Sequence, residues 1–232
     1  MTPAGADTTT GTRLHTEAAP GVWVAVEPAG DPVADPAGLT QDDLAGAAHL
    51  PAWRAREHLA ARRALRAVLA ARFPEARHAP VAYDDRGAPR LVGRPRIGVS
   101  VSHDGDRVAA CAALDHAVGV DLQHPPDTVS DAMLRRCAKD HTDRLAQLSM
   151  AERATEFAWL WTVREAIVKA DGTGLAGGVW TADVTPWSRH GRWGRHRWVS
   201  LRDLSPLPLS CAYTALPAPT PPTNASGEND SE

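Results

Sequence analysis

Four short stretches of the chain carry side chains whose types and spacing could do chemistry. Arg54, His58, Arg62 and Arg66 recur at i, i+4, i+8 and i+12, with Arg56 and Arg63 beside them. On a helix they form one stripe. Like charges one turn apart cost a few tenths of a kcal/mol each, so the stripe is either a solvated basic face or a seat for an anion such as phosphate. The second stretch, Ser102-His103-Asp104-Gly105, closes an apolar run. Successive strand residues point to opposite sides, so these three side chains cannot relay a proton in line as a nucleophilic triad does. They either stabilise a turn or donate hydrogen bonds to phosphate oxygens.

In the third stretch, Gly119-Val-Asp-Leu-Gln123, the apolar Val120 and Leu122 fall on one side of a strand and Asp121 and Gln123 on the other. Two oxygen-bearing side chains projecting together suit a hard cation; a strand-end aspartate in a turn is the plainer reading. In the fourth, Glu165 and Lys169 are spaced i, i+4 ahead of a glycine-rich segment. By themselves they make a helical ion pair worth about 0.3–0.5 kcal/mol.

The elements that must position these residues follow from periodicity and punctuation. GVWVAVEP (21–28) reads as a strand and residues 52–72 as a helix stopped by Pro74. YDDRGAPRL reads as a turn leading into three closely spaced strands, 97–103, 107–115 and 117–123, whose spacing predicts an antiparallel meander. A shorter helix is expected over 129–139. The strongest opens at Ser149, where Ser149-Met-Ala-Glu152 has the form of a capping box, and runs to Gly172. GVWTADV, RWVSLRDL and LSCAYTAL then read as strands. The fold class is α+β, with two similar halves related by a pseudo-twofold, each a small antiparallel sheet packed with a long helix. The boundaries expected are a disordered tail at 1–18, halves at 19–117 and 118–215, and a Pro-rich, then acidic, disordered tail at 216–232.

The 232 residues and 43% hydrophobic content suffice for one or two cores. A net charge of −3 and a pI near 6.4 argue against a nucleic-acid or anionic-membrane partner drawn by a global field. Any anion site must be local. The three cysteines lack metal-ligand spacing and suit a reducing compartment. With neither a signal-like start nor about 18 apolar residues in a row, a cytoplasmic protein is expected. Arginines number 23 and lysines two, so arginine is background composition and Lys169 stands out.

Taken in order, REHLAARRALR, RGAPRL, VSVSHDG, VGVDLQ and WTVREAIVKADGTGL resemble the 4′-phosphopantetheinyl transferase superfamily, in particular its two-lobed surfactin-synthetase-activator type. The resemblance implies transfer of the phosphopantetheine arm of coenzyme A to a serine of an apo acyl- or peptidyl-carrier protein, releasing adenosine 3′,5′-bisphosphate, by a cytoplasmic monomer. It implies Mg²⁺, or Mn²⁺, held by Asp121 and Glu165, with Gln123 a weak or water-bridged ligand. Glu165 is the implied general base and Lys169 the implied pyrophosphate contact. Ser102 and His103 match positions that contact coenzyme A phosphates. Arg56, Arg62 or Arg63 would bind the 3′-phosphate, and Arg90 or Arg86 would serve where Ala88 replaces a family lysine.

Two further departures bear on chemistry. Gln123 stands where many members have glutamate, and Arg164 replaces the lysine before Glu165. The basic run RHGRWGRHR (189–197) reads as a solvated loop or a carrier-docking surface. The rival from another class is a non-catalytic coenzyme A-binding paralogue, with a nucleic-acid module on the arginine helix behind it.

Overall fold

A computed structural model describes residues 14–33, 36–173 and 179–216. The chain begins with a hairpin, β1 (Leu14–Ala19) and β2 (Val22–Pro28), then α1 (Gln41–Ala47) and α2 (Ala52–Arg72). A small hairpin of β3 (Val81–Tyr83) and β4 (Pro89–Leu91) precedes β5 (Ile97–Asp104), β6 (Arg107–Leu114) and β7 (His116–Leu122). Helices α3 (Asp131–Ala138), α4 (Thr142–Ala146) and α5 (Met150–Asp171) lead to β8 (His190–Trp193), β9 (His196–Ser200) and β10 (Leu209–Ala215). The result is an α+β fold with two four-stranded antiparallel sheets, ordered β1-β2-β6-β5 and β7-β10-β9-β8.

Strand β6 shows why the sheets stack. Val108, Ala110 and Ala112 pack with Leu65, Val68 and Leu69 of α2, while Ala109, Cys111 and Ala113 pack against Val118, Val120 and Cys211 of the second sheet. A strand buried on both faces must be apolar throughout, and its small residues let three layers approach closely. On the far side of the second sheet, Leu160, Val163 and Ile167 of α5 cover Trp198 and Ala212. The layers therefore run α2, first sheet, second sheet, α5.

Local sequence explains the two long helices. Phe73 ends α2 just before Pro74. Helix α5 has the expected capping box between Ser149 and Glu152 and stops at Gly172, whose φ of 68° is left-handed and costs glycine little.

Several expectations need correction. The meander breaks after two strands: β2 and β5 occupy both edges of β6, so β7 joins β10 in the other sheet, beginning at His116. The tail expected over 1–18 is interrupted, because Leu14–Ala19 pairs with β2; the remainder of that tail and residues 217–232 lie outside the described residues. GVWTADV holds a 3-10 turn at Val179–Thr181 rather than a strand. The basic run 189–197 is no loop; it supplies β8 and the start of β9, with Gly191 lying flat over the Trp198 ring. Helix α1, capped by Thr40 and Asp43, was missed.

Candidate active site

Helix α5 and strand β7 bring the acidic residues together, and a glycine permits it. A Cβ built on Gly119 would lie 2.0 Å from the Ala166 carbonyl oxygen and 2.6 Å from the Ala170 nitrogen. Only glycine lets the helix sit this close to the strand. With Val120 and Leu122 turned into the core between the sheets, Asp121 faces α5 and is only 7% exposed. Lys169 Nζ donates to Asp121 Oδ1 at 2.7 Å and to the Val120 carbonyl at 3.0 Å.

Glu165 lies one turn before Lys169 on the same helix, yet its buried Oε1 makes no hydrogen bond. Burial, together with the nearby charge of Asp121, raises its carboxyl above the ordinary value, and Lys169 only partly offsets this. A buried, unsatisfied carboxylate oxygen next to a second carboxylate calls for a cation or a proton.

The Ser-His pair is split, as strand alternation requires. Ser102, 6% exposed, turns toward β7 and donates to Asp121 Oδ1 at 2.9 Å. His103 is exposed on the opposite side of β5, in a cleft of about 150 Å³ that includes Arg54, His58, Arg62 and Tyr83. Of the three arginines considered for an anion, Arg62 alone lines this cleft. It is 4% exposed, its Nη1 makes no hydrogen bond, and its guanidinium stacks 5.0 Å from the Tyr83 ring centre. Burial pulls its pKa down and does the same to neighbouring His58, on which the Arg62 charge acts next. Arg56 is exposed elsewhere on α2, and Arg63 donates to the Ala29 carbonyl at 3.1 Å. Arg66 is fully engaged by Asp43 and by the carbonyls of Arg77 and Ala79.

Between strands β3–β5 and helix α5, a cleft of about 440 Å³ has Tyr83, Pro89, Val99 and Val101 on one wall and Glu165, Val168 and Lys169 on the other. An adjoining cleft of about 730 Å³ shares Lys169 and adds Arg90, Arg94 and Asp171. Arg90 stands 3.6 Å from Asp84, and Arg86 reaches across to donate to the Gly172 carbonyl at 3.1 Å. Gln123 lies just past β7, its N–H bonded to the Pro208 carbonyl and its side chain in neither cleft. Arg164 lines neither cleft. It is completely buried, where it donates to the Cys137 sulfur at 3.0 Å and to the Cys137 carbonyl, so it secures α3 rather than facing the cleft.

Asp121, Glu165, Lys169 and Ser102 thus converge, while His103 and Arg62 form a second group joined to the first through Tyr83, which lines both clefts. Asp43, which steadies Arg62 and Arg66, was missed in the sequence, although Thr40-Gln-Asp-Asp43 has a helix-start pattern that could have revealed it.

Residues 117–206 match the family model of the 4′-phosphopantetheinyl transferase superfamily. Asp121, Glu165 and Lys169 all fall inside the matched stretch; Arg62, Ser102 and His103 lie before it. The chain is also 33% identical over 101 residues to a Synechocystis sp. protein named "Putative 4′-phosphopantetheinyl transferase". That similarity covers 42% of this chain and 41% of the relative's length. The stretch that matches the superfamily model therefore contains the α5–β7 carboxylate pair and the lysine one turn away.

The donor set fits a hard divalent cation. Among the described residues no group of three or more His, Cys, Asp or Glu side chains gathers at one point. Mg²⁺ is commonly held by one or two carboxylates, its remaining positions filled by water and substrate phosphates. Asp121 and the unsatisfied oxygen of Glu165 meet that need. Among the described residues no helix is long and apolar enough to cross a membrane.

Proposed function

We propose that this protein transfers the 4′-phosphopantetheine moiety of coenzyme A to a serine of an apo acyl- or peptidyl-carrier protein. The observation that carries the reading is the buried, unpartnered oxygen of Glu165, which shares a cleft with Lys169 and lies near the Asp121 carboxylate that Lys169 holds. It is supported by the match of residues 117–206 to the superfamily.

In the reaction the carrier serine oxygen bonds to the phosphorus attached to the pantetheine arm. The bond from that phosphorus to the bridging oxygen breaks, and adenosine 3′,5′-bisphosphate leaves. Glu165 takes the serine proton, directly or through water. Lys169 stabilises charge growing on the departing phosphate. Asp121 and Glu165 would hold Mg²⁺, which when bound neutralises the diphosphate. Arg62 and His103 receive the 3′-phosphate in their own cleft, where the unsatisfied Arg62 Nη1 awaits an acceptor. Arg90 and Arg86 flank the nucleotide's route into the cleft between β3–β5 and α5.

The test incubates the full chain with coenzyme A, Mg²⁺ and several apo carrier domains, and follows the release of adenosine 3′,5′-bisphosphate. Release that depends on the carrier supports transfer. Gln123 in place of an acid favours the alternative of a coenzyme A-binding paralogue, which would bind coenzyme A and release nothing.

A further inference from the structure

We propose that Ser102 is a positioning residue for Asp121 and not a ligand of the substrate's phosphates; the inference rests on the functional reading above. Strand β7 uses one edge to pair with β10 and presents the N–H groups of alternate residues at the other. Three side chains from β5, spaced two apart, take those groups in turn. Ser100 Oγ accepts from the Val120 N–H at 3.2 Å, Ser102 Oγ from the Leu122 N–H at 3.3 Å, and Asp104 Oδ2 from the His124 N–H at 2.6 Å. The free edge of one sheet is thereby satisfied by side chains of the other, which fixes the register between them.

The middle rung differs from its neighbours. Ser100 is described only as an acceptor in the ladder, and Asp104 also bonds the His124 ring at 3.0 Å. Ser102 passes a hydrogen bond on to the carboxylate that Lys169 also holds, donating its one proton to Asp121 Oδ1. With its proton given to Asp121 and a lone pair to Leu122, and with 6% exposure, it has no donor left for a phosphate. Together with Lys169 it holds Oδ1 from two sides. The carboxylate is fixed before any ligand arrives, which is what an outer hydrogen-bond partner does for a metal ligand.

Binding measurements on the purified full chain separate the two roles, using Mn²⁺ alone as one probe and coenzyme A in chelator as the other. Ser102→Ala should weaken Mn²⁺ binding about 10-fold or more and leave metal-free coenzyme A binding within about twofold. His103→Ala should do the reverse. Ser100→Ala removes a rung of the same kind without touching Asp121; it should lower Tm as Ser102→Ala does but leave Mn²⁺ affinity unchanged. Ser102→Thr keeps the hydroxyl and should recover most of the Mn²⁺ affinity, and it stands in if the alanine variant does not fold. The proposal is overturned if Ser102→Ala weakens metal-free coenzyme A binding as His103→Ala does, or if Ser100→Ala shifts Mn²⁺ affinity equally. Failure of the functional reading looks different: a wild type that binds both probes and modifies no carrier.

Discussion

Lys169 reaches from α5 to Asp121 on β7, a 2.7 Å ion pair, and leaves Glu165 on its own helix without a hydrogen bond to the buried Oε1. The i, i+4 spacing of Glu165 and Lys169 would ordinarily pair these two. The close approach of α5 at Gly119 instead turns the lysine toward the strand, so the helix and strand are tied by charge and Glu165 is left for chemistry.

Replacing Lys169 by alanine should lower kcat by about 10²-fold, the size of effect seen when one preorganised donor to a developing oxyanion is lost. Arginine should not restore it. The ammonium is a compact donor held by both Asp121 Oδ1 and the Val120 carbonyl, and a planar guanidinium does not fit that point. Steady-state kinetics of the two variants checks this, and full activity in Lys169→Arg would contradict it.

Glu165→Gln should nearly abolish transfer and yet stabilise the metal-free protein in a pH-dependent way. A carboxyl raised above its unfolded value of 4.5 binds its proton more tightly in the folded chain. Its stabilising contribution is complete below that value and is lost as pH rises through the raised folded value. Glutamine has no such loss. In chelator, the Tm of Glu165→Gln should therefore gain on wild type as pH rises from about 4 toward 7, and Mg²⁺ should narrow the gap by stabilising wild type more. Calorimetry across that range would show a constant difference if Glu165 were not strained by burial.

Arg62→Met should raise the KM for coenzyme A about 10- to 100-fold, the value of a charge-assisted hydrogen bond, while leaving 3′-dephospho-coenzyme A almost unaffected. Arg56→Ala should change neither. Equal effects of Arg62→Met on both substrates would remove the 3′-phosphate from this cleft.

Gly119→Ala should cost about 3 kcal/mol or more, because the new methyl meets the backbone of Ala166 and Ala170 rather than a side chain that could swing away. Chemical denaturation measures it. A loss under about 1 kcal/mol would mean that α5 moves off β7 without penalty.

The long helices were legible because their ends are written locally, by Pro74 and by the Ser149–Glu152 box. The strand partners were not, since β7's choice of β10 over β6 depends on which edges are already occupied. Strand β1 looked like tail because it follows a Thr-, Ala- and Gly-rich stretch and offers only one large apolar residue, Leu14. Asp121, Glu165 and Lys169 stood out by residue type and spacing, but spacing alone left a strand-end aspartate and an ordinary helical ion pair as readings, and a shared role was implied only by the family resemblance. The choice among Arg56, Arg62 and Arg63 could not be made, because the sequence does not say which side of α2 faces β3 and β5; in the structure Arg62 does, beside Asp43 of α1. Ser102 and His103 are adjacent in sequence but face different elements, which only the placement of β7 beside β5 makes visible.

The central claim is tested most directly by the mass of an apo carrier domain after incubation with coenzyme A, Mg²⁺ and either wild type or Glu165→Gln, with the modified residue located by peptide fragmentation. The expected result is one phosphopantetheine added to a single serine by wild type and none by the variant. An unmodified carrier with wild type that nonetheless binds coenzyme A, or equal modification by Glu165→Gln, would contradict the account.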